Sequence, residues 1–109
     1  MSFHTVAVTP SVVFGDPKNL VLIGGPCVIE SEEKALRHAE KISAIARELN
    51  VPYVFKASYD KANRSSGKSF RGPGIKSGLA ILAKIKKEFQ VPVISDIHTE
   101  EEVGPAAEV

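Results

Sequence analysis

A cation-rich segment, Lys56 to Gly74 (KASYDKANRSSGKSFRGPG), is the part of the sequence best equipped to do chemistry. It holds five basic residues against a single acid, Asp60, together with four serines, one asparagine and three glycines. Clustered cations and hydroxyls donate charge-assisted hydrogen bonds to phosphate and carboxylate groups, and glycine lets the backbone approach a ligand closely. A basic run can also be a solvated surface loop, but long loops in small domains are usually functional. The segment therefore predicts a phosphate-binding loop.

The single cysteine, Cys27, follows a glycine pair and a proline at the end of a short apolar run. A nucleophile, a metal ligand and an inert packing residue are all compatible with this position. Metal ligation would need His, Asp or Glu partners nearby. One cysteine excludes an internal disulfide and suits a reducing compartment.

The motif SDIH (Ser95–His98) closes another apolar run. Alternate residues of a strand share one face, so we expect Asp96 and His98 to lie on the same face and to point into a common site. The structural alternatives are a helix cap for Asp96 and a surface position for His98. The other histidines, His4 and His38, are expected on the surface.

Apolar runs alternate with helical stripes along the chain, which predicts parallel βα units covered on both faces. The predicted strands are Leu20–Gly24, Tyr53–Lys56 and Val91–Asp96, and the predicted helices are Ser31–Leu49, Ile75–Phe89 and one beginning at Thr99. The first helix should bury one stripe, formed by Ala35, Leu36, Ala39, Ile42, Ala46 and Leu49.

Helix ends are predicted from capping residues. Ser31 is the expected N-cap of the first helix and Asn50 its terminator, whereas Thr99 and Glu102 should form a capping box at the start of the third. Pro105 should kink or end that third helix. Residues 1–19 form a leader with two β-like runs, which we expect to make a small hairpin on the floor of a barrel.

Composition limits the function classes. The 109 residues are 43% hydrophobic and 25% charged, as in globular proteins, with a formal net charge of +1. No overall field draws the chain to nucleic acid or a membrane surface, and no apolar run reaches the roughly 20 residues that a membrane helix needs. The leader lacks the features of a signal peptide, so a cytoplasmic location is expected.

Four motifs resemble 3-deoxy-D-manno-octulosonate 8-phosphate synthase, in register from about Leu20 to Val109: GGPCVIES, PYVFKASYDKANRSS, SFRGPG and SDIH. The KANRSS segment is the most specific of them. The resemblance implies a (β/α)8 barrel, of which residues 20–109 supply roughly the first three βα units. It also implies condensation of phosphoenolpyruvate with arabinose 5-phosphate on the route to lipopolysaccharide, in a full-length homotetramer.

Roles for individual residues follow from the resemblance. Lys56, Ser58 and Lys61 would hold phosphoenolpyruvate, with Lys61 also near the carbon that gains a proton. The sugar phosphate would be bound by the next part of the motif, namely Asn63, Arg64 and Ser65.

Asp96 and His98 would complete the substrate site, with Asp96 holding sugar hydroxyls or the water of a metal ion, so that Lys61 and Asp96 are the expected catalytic residues. Cys27 stands where metal-dependent members of the family carry cysteine and metal-independent members carry asparagine. It would therefore be the first ligand of a divalent metal such as zinc, iron or manganese.

Two alternatives remain at this stage. The sister synthase that uses erythrose 4-phosphate has a similar first motif, but it carries Lys-Pro-Arg-Thr where this chain has Lys61–Ser65 (KANRS). A non-catalytic sugar-phosphate-binding module is the other possibility. Because the family's other metal ligands lie on later strands, we expect the 109 residues alone neither to close a barrel nor to catalyse the condensation.

Overall fold

A computed structural model describes residues 3–62, 67 and 70–109, which form a mixed α/β structure. The elements in chain order are β1 (Val6–Thr9), β2 (Val12–Phe14), β3 (Leu22–Gly24), α1 (Glu32–Glu48), β4 (Tyr53–Lys56), α2 (Ile75–Phe89), β5 (Val93–Ile94), a 3-10 turn (Glu100–Glu102) and α3 (Val103–Ala107).

β3, β4 and β5 form a parallel sheet in sequence order, with β4 in the centre. The predicted βα units are thus confirmed, but β3 and β5 are shorter than expected. Proline has no N–H to donate to a ladder, and Pro52 and Pro92 stand just before β4 and β5. Pairing begins beside them, with Leu22 N–H donating to Pro52 O at 2.9 Å and Phe55 N–H donating to Pro92 O at 2.9 Å.

The core lies on one face of the sheet, where Tyr53, Phe55 and Ala57 pack with residues of both long helices. Consecutive right-handed crossovers place α1 and α2 on the same side. On the opposite face, Ile23 and Ile94 are 44% and 45% exposed. Among the described residues, this second face is therefore covered only in part, whereas the sequence predicted cover on both faces.

The buried stripe of α1 agrees with the prediction except at its C-terminal end, and Leu36 and Ile42 pack, partly buried, against the core. Ala35, Ala39 and Ala46 are fully buried, as expected, and small side chains let the helix approach the sheet closely. Leu49 is 67% exposed because it is the C-cap residue, beyond the last helical turn. In α2 the buried residues include Leu79, Leu82 and Ile85.

The caps of α1 are confirmed. The hydroxyl of Ser31 accepts a hydrogen bond from Lys34 N–H at 3.2 Å, and Asn50 adopts a left-handed conformation with φ of 57°. The prediction of a capping box at Thr99 is wrong for the Thr99 side chain, which makes no capping hydrogen bond. Pro105 lies in the first turn of α3, where a missing N–H costs nothing.

The leader folds as an antiparallel pair of β1 and β2, with Val6 opposite Phe14. Ser11 and Val12 line a groove together with Pro52 and Pro92. The hairpin therefore lies beside the edge where β4 and β5 begin, opposite the edge that carries the chemistry. Among the described residues, no helix is long and apolar enough to cross a membrane.

Candidate active site

Beyond Lys56, the last residue of β4, side chains continue to point alternately to the two faces of the sheet. Ala57 and Tyr59 are buried on the helix side with Phe55, so Ser58 and Asp60 point to the other side. Ser58 is fully buried, and its main chain is held by Ile29 N–H, which donates to Ser58 O at 3.0 Å, and by its own N–H, which donates to Cys27 O at 3.3 Å. These hydrogen bonds extend the parallel pairing beyond β4, so the first residues of the cation-rich segment keep the backbone conformation and register of the strand.

Ser58 connects two of the predicted catalytic residues. Its hydroxyl donates to Asp96 Oδ1 at 2.5 Å, and Lys61 Nζ donates to Ser58 Oγ at 2.7 Å. Burial opposes ionisation of Asp96, but the hydrogen bonds from Ser58 and from its own backbone N–H, with the positive charge of Lys61, outweigh that effect. The pKa of Asp96 is lowered, so near neutral pH its carboxylate is an acceptor for donors such as sugar hydroxyls.

His98 reaches the same cluster. Its Nε2 lies 2.7 Å from Asp60 O and 3.7 Å from Asp96 Oδ2, and its ring packs edge-on to Tyr59 with centroids 5.8 Å apart. β5 ends at Ile94, so Asp96 and His98 lie beyond the strand rather than on it. The two side chains nevertheless meet at one place, as the sequence predicted.

Asp60 and Arg71 form a two-point ion pair, with Nε donating to Oδ1 and Nη2 to Oδ2, both at 3.0 Å. The sequence prediction treated Arg71 as one of five cations facing a ligand. In the structure its guanidinium holds the only acid of the segment instead.

Cys27 is exposed just after β3, and the hydrogen bond from Ser58 N–H to its carbonyl brings its backbone beside the cluster. Gly25 makes this approach possible, because a Cβ there would lie 2.0 Å from Lys56 O. An accessible thiol is a suitable soft ligand for zinc or iron. Within residues 3–62, 67 and 70–109, however, no three His, Cys, Asp or Glu side chains are grouped as a metal site.

The remaining predicted site residues divide into two groups. Lys56 is exposed at the end of β4, with no hydrogen bond to the cluster among the described residues. Asn63, Arg64 and Ser65 lie outside the residues that the structure describes.

Tyr59 and Glu102 were missed as partners. The Tyr59 hydroxyl donates to Glu102 Oε1, and the ring is 1% exposed. Burial, followed by this hydrogen bond, raises the pKa of Tyr59, while the hydrogen bond from Tyr59 lowers the pKa of Glu102. The period-two pattern of Phe55, Ala57 and Tyr59 signalled burial of the tyrosine, but nothing in the sequence signalled Glu102 as its partner.

Comparison with known proteins identifies the family. The model described as the DAHP synthetase I family matches residues 4–109. The chain belongs to this family. It is 58% identical over 99 residues to the 2-dehydro-3-deoxyphosphooctonate aldolase of Trichlorobacter lovleyi, a match that covers 91% of this chain and 36% of the relative.

Two more members of the family carry the same name. The protein of Desulfatibacillum aliphaticivorans is 61% identical, in a match that covers 83% of this chain and 33% of the relative. The protein of Geobacter metallireducens is 59% identical, in a match that covers 91% of this chain and 36% of the relative. The chain therefore spans about a third of the length of the curated relatives it matches. The name is a synonym for the octulosonate 8-phosphate synthase, so the resemblance found from the sequence motifs is confirmed.

Proposed function

We propose that the full-length protein condenses phosphoenolpyruvate with D-arabinose 5-phosphate and water, yielding 3-deoxy-D-manno-octulosonate 8-phosphate and phosphate. The observation that carries this proposal is the identity of 58% over 91% of the chain to an aldolase of that product. We also propose the corresponding (β/α)8 barrel, with residues 20–109 as its first βα units. Three parallel strands in sequence order, with both long helices on one side, support it.

Lys61 and Ser58 are proposed to bind phosphoenolpyruvate, together with Lys56. The substrate is a polyanion, and the second substrate is another, so the two repel each other unless fixed cations and donors hold them at bonding distance. The contact of 2.7 Å between Lys61 Nζ and Ser58 Oγ supports a joint role. Lys61 would also lie near the carbon of phosphoenolpyruvate that gains a proton.

Asp96 is proposed to orient the sugar. One oxygen, Oδ1, is engaged by Ser58, and the side chain is 44% exposed, which leaves the carboxylate accessible to a ligand. The lowered pKa of Asp96 supports an acceptor for sugar hydroxyls or for a metal-bound water. His98 is proposed as a further substrate-binding residue beside it, and Asn63, Arg64 and Ser65 as the binding site for the sugar phosphate.

Cys27 is proposed as a ligand of a divalent metal ion such as zinc, iron or manganese. Its thiol is exposed, and its main-chain carbonyl accepts a hydrogen bond from Ser58 N–H, which fits one position of such a site. The other ligands would come from parts of the protein outside the described residues. When bound, the metal would polarise an oxygen of a substrate or water. The Cys27→Ala variant of the full-length protein should lose bound metal in elemental analysis, with Ser77→Ala as the control.

A substrate comparison tests the proposed reaction. Phosphate release from phosphoenolpyruvate would be measured on the full-length protein with arabinose 5-phosphate and with erythrose 4-phosphate. We expect kcat/KM to favour the five-carbon sugar by roughly 10⁴-fold, as for a site that hydrogen-bonds a substrate hydroxyl. Preference for erythrose 4-phosphate would support the sister synthase, and tight binding of both substrates without turnover would support a binding module.

The same family membership underlies three wider proposals. They are a homotetramer, a cytoplasmic location and a place in lipopolysaccharide biosynthesis.

A further inference from the structure

The peptide group that joins Asp60 to Lys61 is held at both of its polar atoms. The Lys61 N–H donates to Arg71 O at 2.6 Å, and the Asp60 carbonyl lies 2.7 Å from His98 Nε2. Because a carbonyl oxygen can only accept, Nε2 of His98 carries the proton and donates it. The plane of this peptide group, and with it the starting direction of the Lys61 side chain, is therefore fixed from two sides.

Arg71 contacts both Asp60 and Lys61, one through its side chain and the other through its main chain. The guanidinium binds Asp60 with two parallel hydrogen bonds of 3.0 Å, while the Arg71 carbonyl binds the next residue, Lys61. A planar fork that meets a carboxylate at two points restrains both distance and rotation. Lysine at this position would supply the charge without that restraint.

The backbone on the far side of Arg71 is docked onto the same strand end. Gly72 has φ of 119°, and a Cβ there would lie 2.4 Å from Tyr59 O. Gly74 N–H donates to that same carbonyl at 3.0 Å. Residues 71–74 thus lie against Tyr59 and Asp60, and Arg71 is held where it can restrain Lys61.

We propose that Asp60 and Arg71 are positioning residues, whose paired side chains and main-chain contacts aim the Lys61 ammonium group at Ser58 and the substrate. Arg71 serves Asp60 rather than a substrate phosphate. The inference rests on the proposed function for the role of Lys61. The pair is a poor source of stability, because its side chains are 57% and 29% exposed and such ion pairs contribute little.

The test uses the full-length protein and four variants of the pair: Asp60→Asn, Arg71→Met, Arg71→Lys and the double variant Asp60→Asn/Arg71→Met. Arg37→Met is the control, since Arg37 pairs with Glu33 on the exposed face of α1 at 4.0 Å. Small displacements of a catalytic group are costly, so we expect Asp60→Asn and Arg71→Met each to lower kcat for condensation by about tenfold or more. Their melting temperatures should stay close to that of the control.

Two features of the kinetics separate positioning from direct substrate binding. The double variant should be no slower than either single variant, because both remove one restraint, and Arg71→Lys should recover only part of kcat. If Arg71→Met raises the KM of a substrate while Asp60→Asn has no effect, Arg71 binds the substrate directly and the inference is wrong. Additive losses, or unchanged kcat in both single variants, would also overturn it.

A second readout does not depend on the reaction. The rate at which an amine-reactive reagent labels Lys61, followed by mass spectrometry, should change several-fold in Asp60→Asn and Arg71→Met. Labelling of exposed Lys41 should not change. If the wild-type protein lacks condensation activity, the proposed function fails, but altered labelling still supports the positioning role. Unchanged labelling of Lys61 would contradict that role whatever the activity.

Discussion

The hydroxyl of Ser58 donates a hydrogen bond of 2.5 Å to Asp96 Oδ1, joining residues that lie 38 positions apart in the chain. Ser58 continues β4 and Asp96 follows β5, so this single bond depends on the parallel register of two neighbouring strands. The same hydroxyl accepts from Lys61 Nζ. Ser58 is therefore the link through which the sheet sets the distance between a cation and a carboxylate.

Replacing Ser58 by alanine should impair activity more than stability. The variant removes the donor to Asp96 and the acceptor for Lys61, and we expect kcat/KM to fall at least roughly tenfold because both groups lose their alignment. Asp96 can regain water, so the free energy of unfolding should fall by only about 1 kcal/mol. Steady-state kinetics and urea unfolding measure the two effects. Ser77→Ala, at an exposed position of α2, should change neither, and equal losses in both variants would refute the link.

The pKa of Asp96 should depend on Ser58. Carboxyl-carbon NMR titration of the wild-type protein should give a value below the ordinary 3.9 or so, and Ser58→Ala should raise it, since the hydroxyl stabilises the charged form. A lowered folded-state pKa means that Asp96 stabilises the fold above its unfolded-state pKa. That contribution is lost as pH falls through the folded-state value.

Asp96→Asn should consequently flatten the loss of stability below about pH 4. Urea unfolding between about pH 2.5 and 6 measures this change. Two results would contradict the role of Ser58 in lowering the pKa of Asp96. One is an unchanged loss of stability at low pH in Asp96→Asn, and the other is an unchanged pKa of Asp96 in Ser58→Ala.

Tyr59 should stabilise the fold mainly through its buried ring, and only slightly through its hydroxyl. Tyr59→Phe removes the hydrogen bond to Glu102 but keeps the buried ring, so we expect a small loss of stability and a rise in the pKa of Glu102. Tyr59→Ala removes a side chain that is 1% exposed and should cost about 3–5 kcal/mol. Thermal unfolding of both variants checks the difference. Equal destabilisation would mean that the hydroxyl, not the ring, is the important group.

Gly25 should be intolerant of a side chain. In Gly25→Ala the new Cβ would meet Lys56 O at 2.0 Å, so β3 and β4 must separate locally, at a cost of about 2 kcal/mol. The displacement should also change the rate at which a thiol reagent modifies Cys27. Gly104→Ala, where a Cβ meets nothing within 4 Å, is the matched control. Wild-type stability and thiol reactivity in Gly25→Ala would show that the close approach is dispensable.

Local patterns predicted the long helices well. The bounds of α2 agree with Ile75–Phe89, and Ser31 caps α1 as expected, because caps and helical stripes are properties of a few neighbouring residues. Thr99 was predicted less well. Its side chain makes no capping hydrogen bond. Glu102 also receives a hydrogen bond from Tyr59, 43 positions earlier, a contact that a pattern of neighbouring residues cannot reveal.

In the cation-rich segment, too, some features follow from the sequence and others only from the tertiary structure. By itself, the sequence determined the family, the order of the βα units and the residue types gathered near Lys61, since motifs and hydrophobic periodicity are written along the chain. Only the tertiary structure decided which of those residues meet: Ser58 with Asp96, and Arg71 with Asp60. Opposite charges in one loop can pair with each other or with a substrate, and that choice depends on distances that are set when strands far apart in sequence come into register.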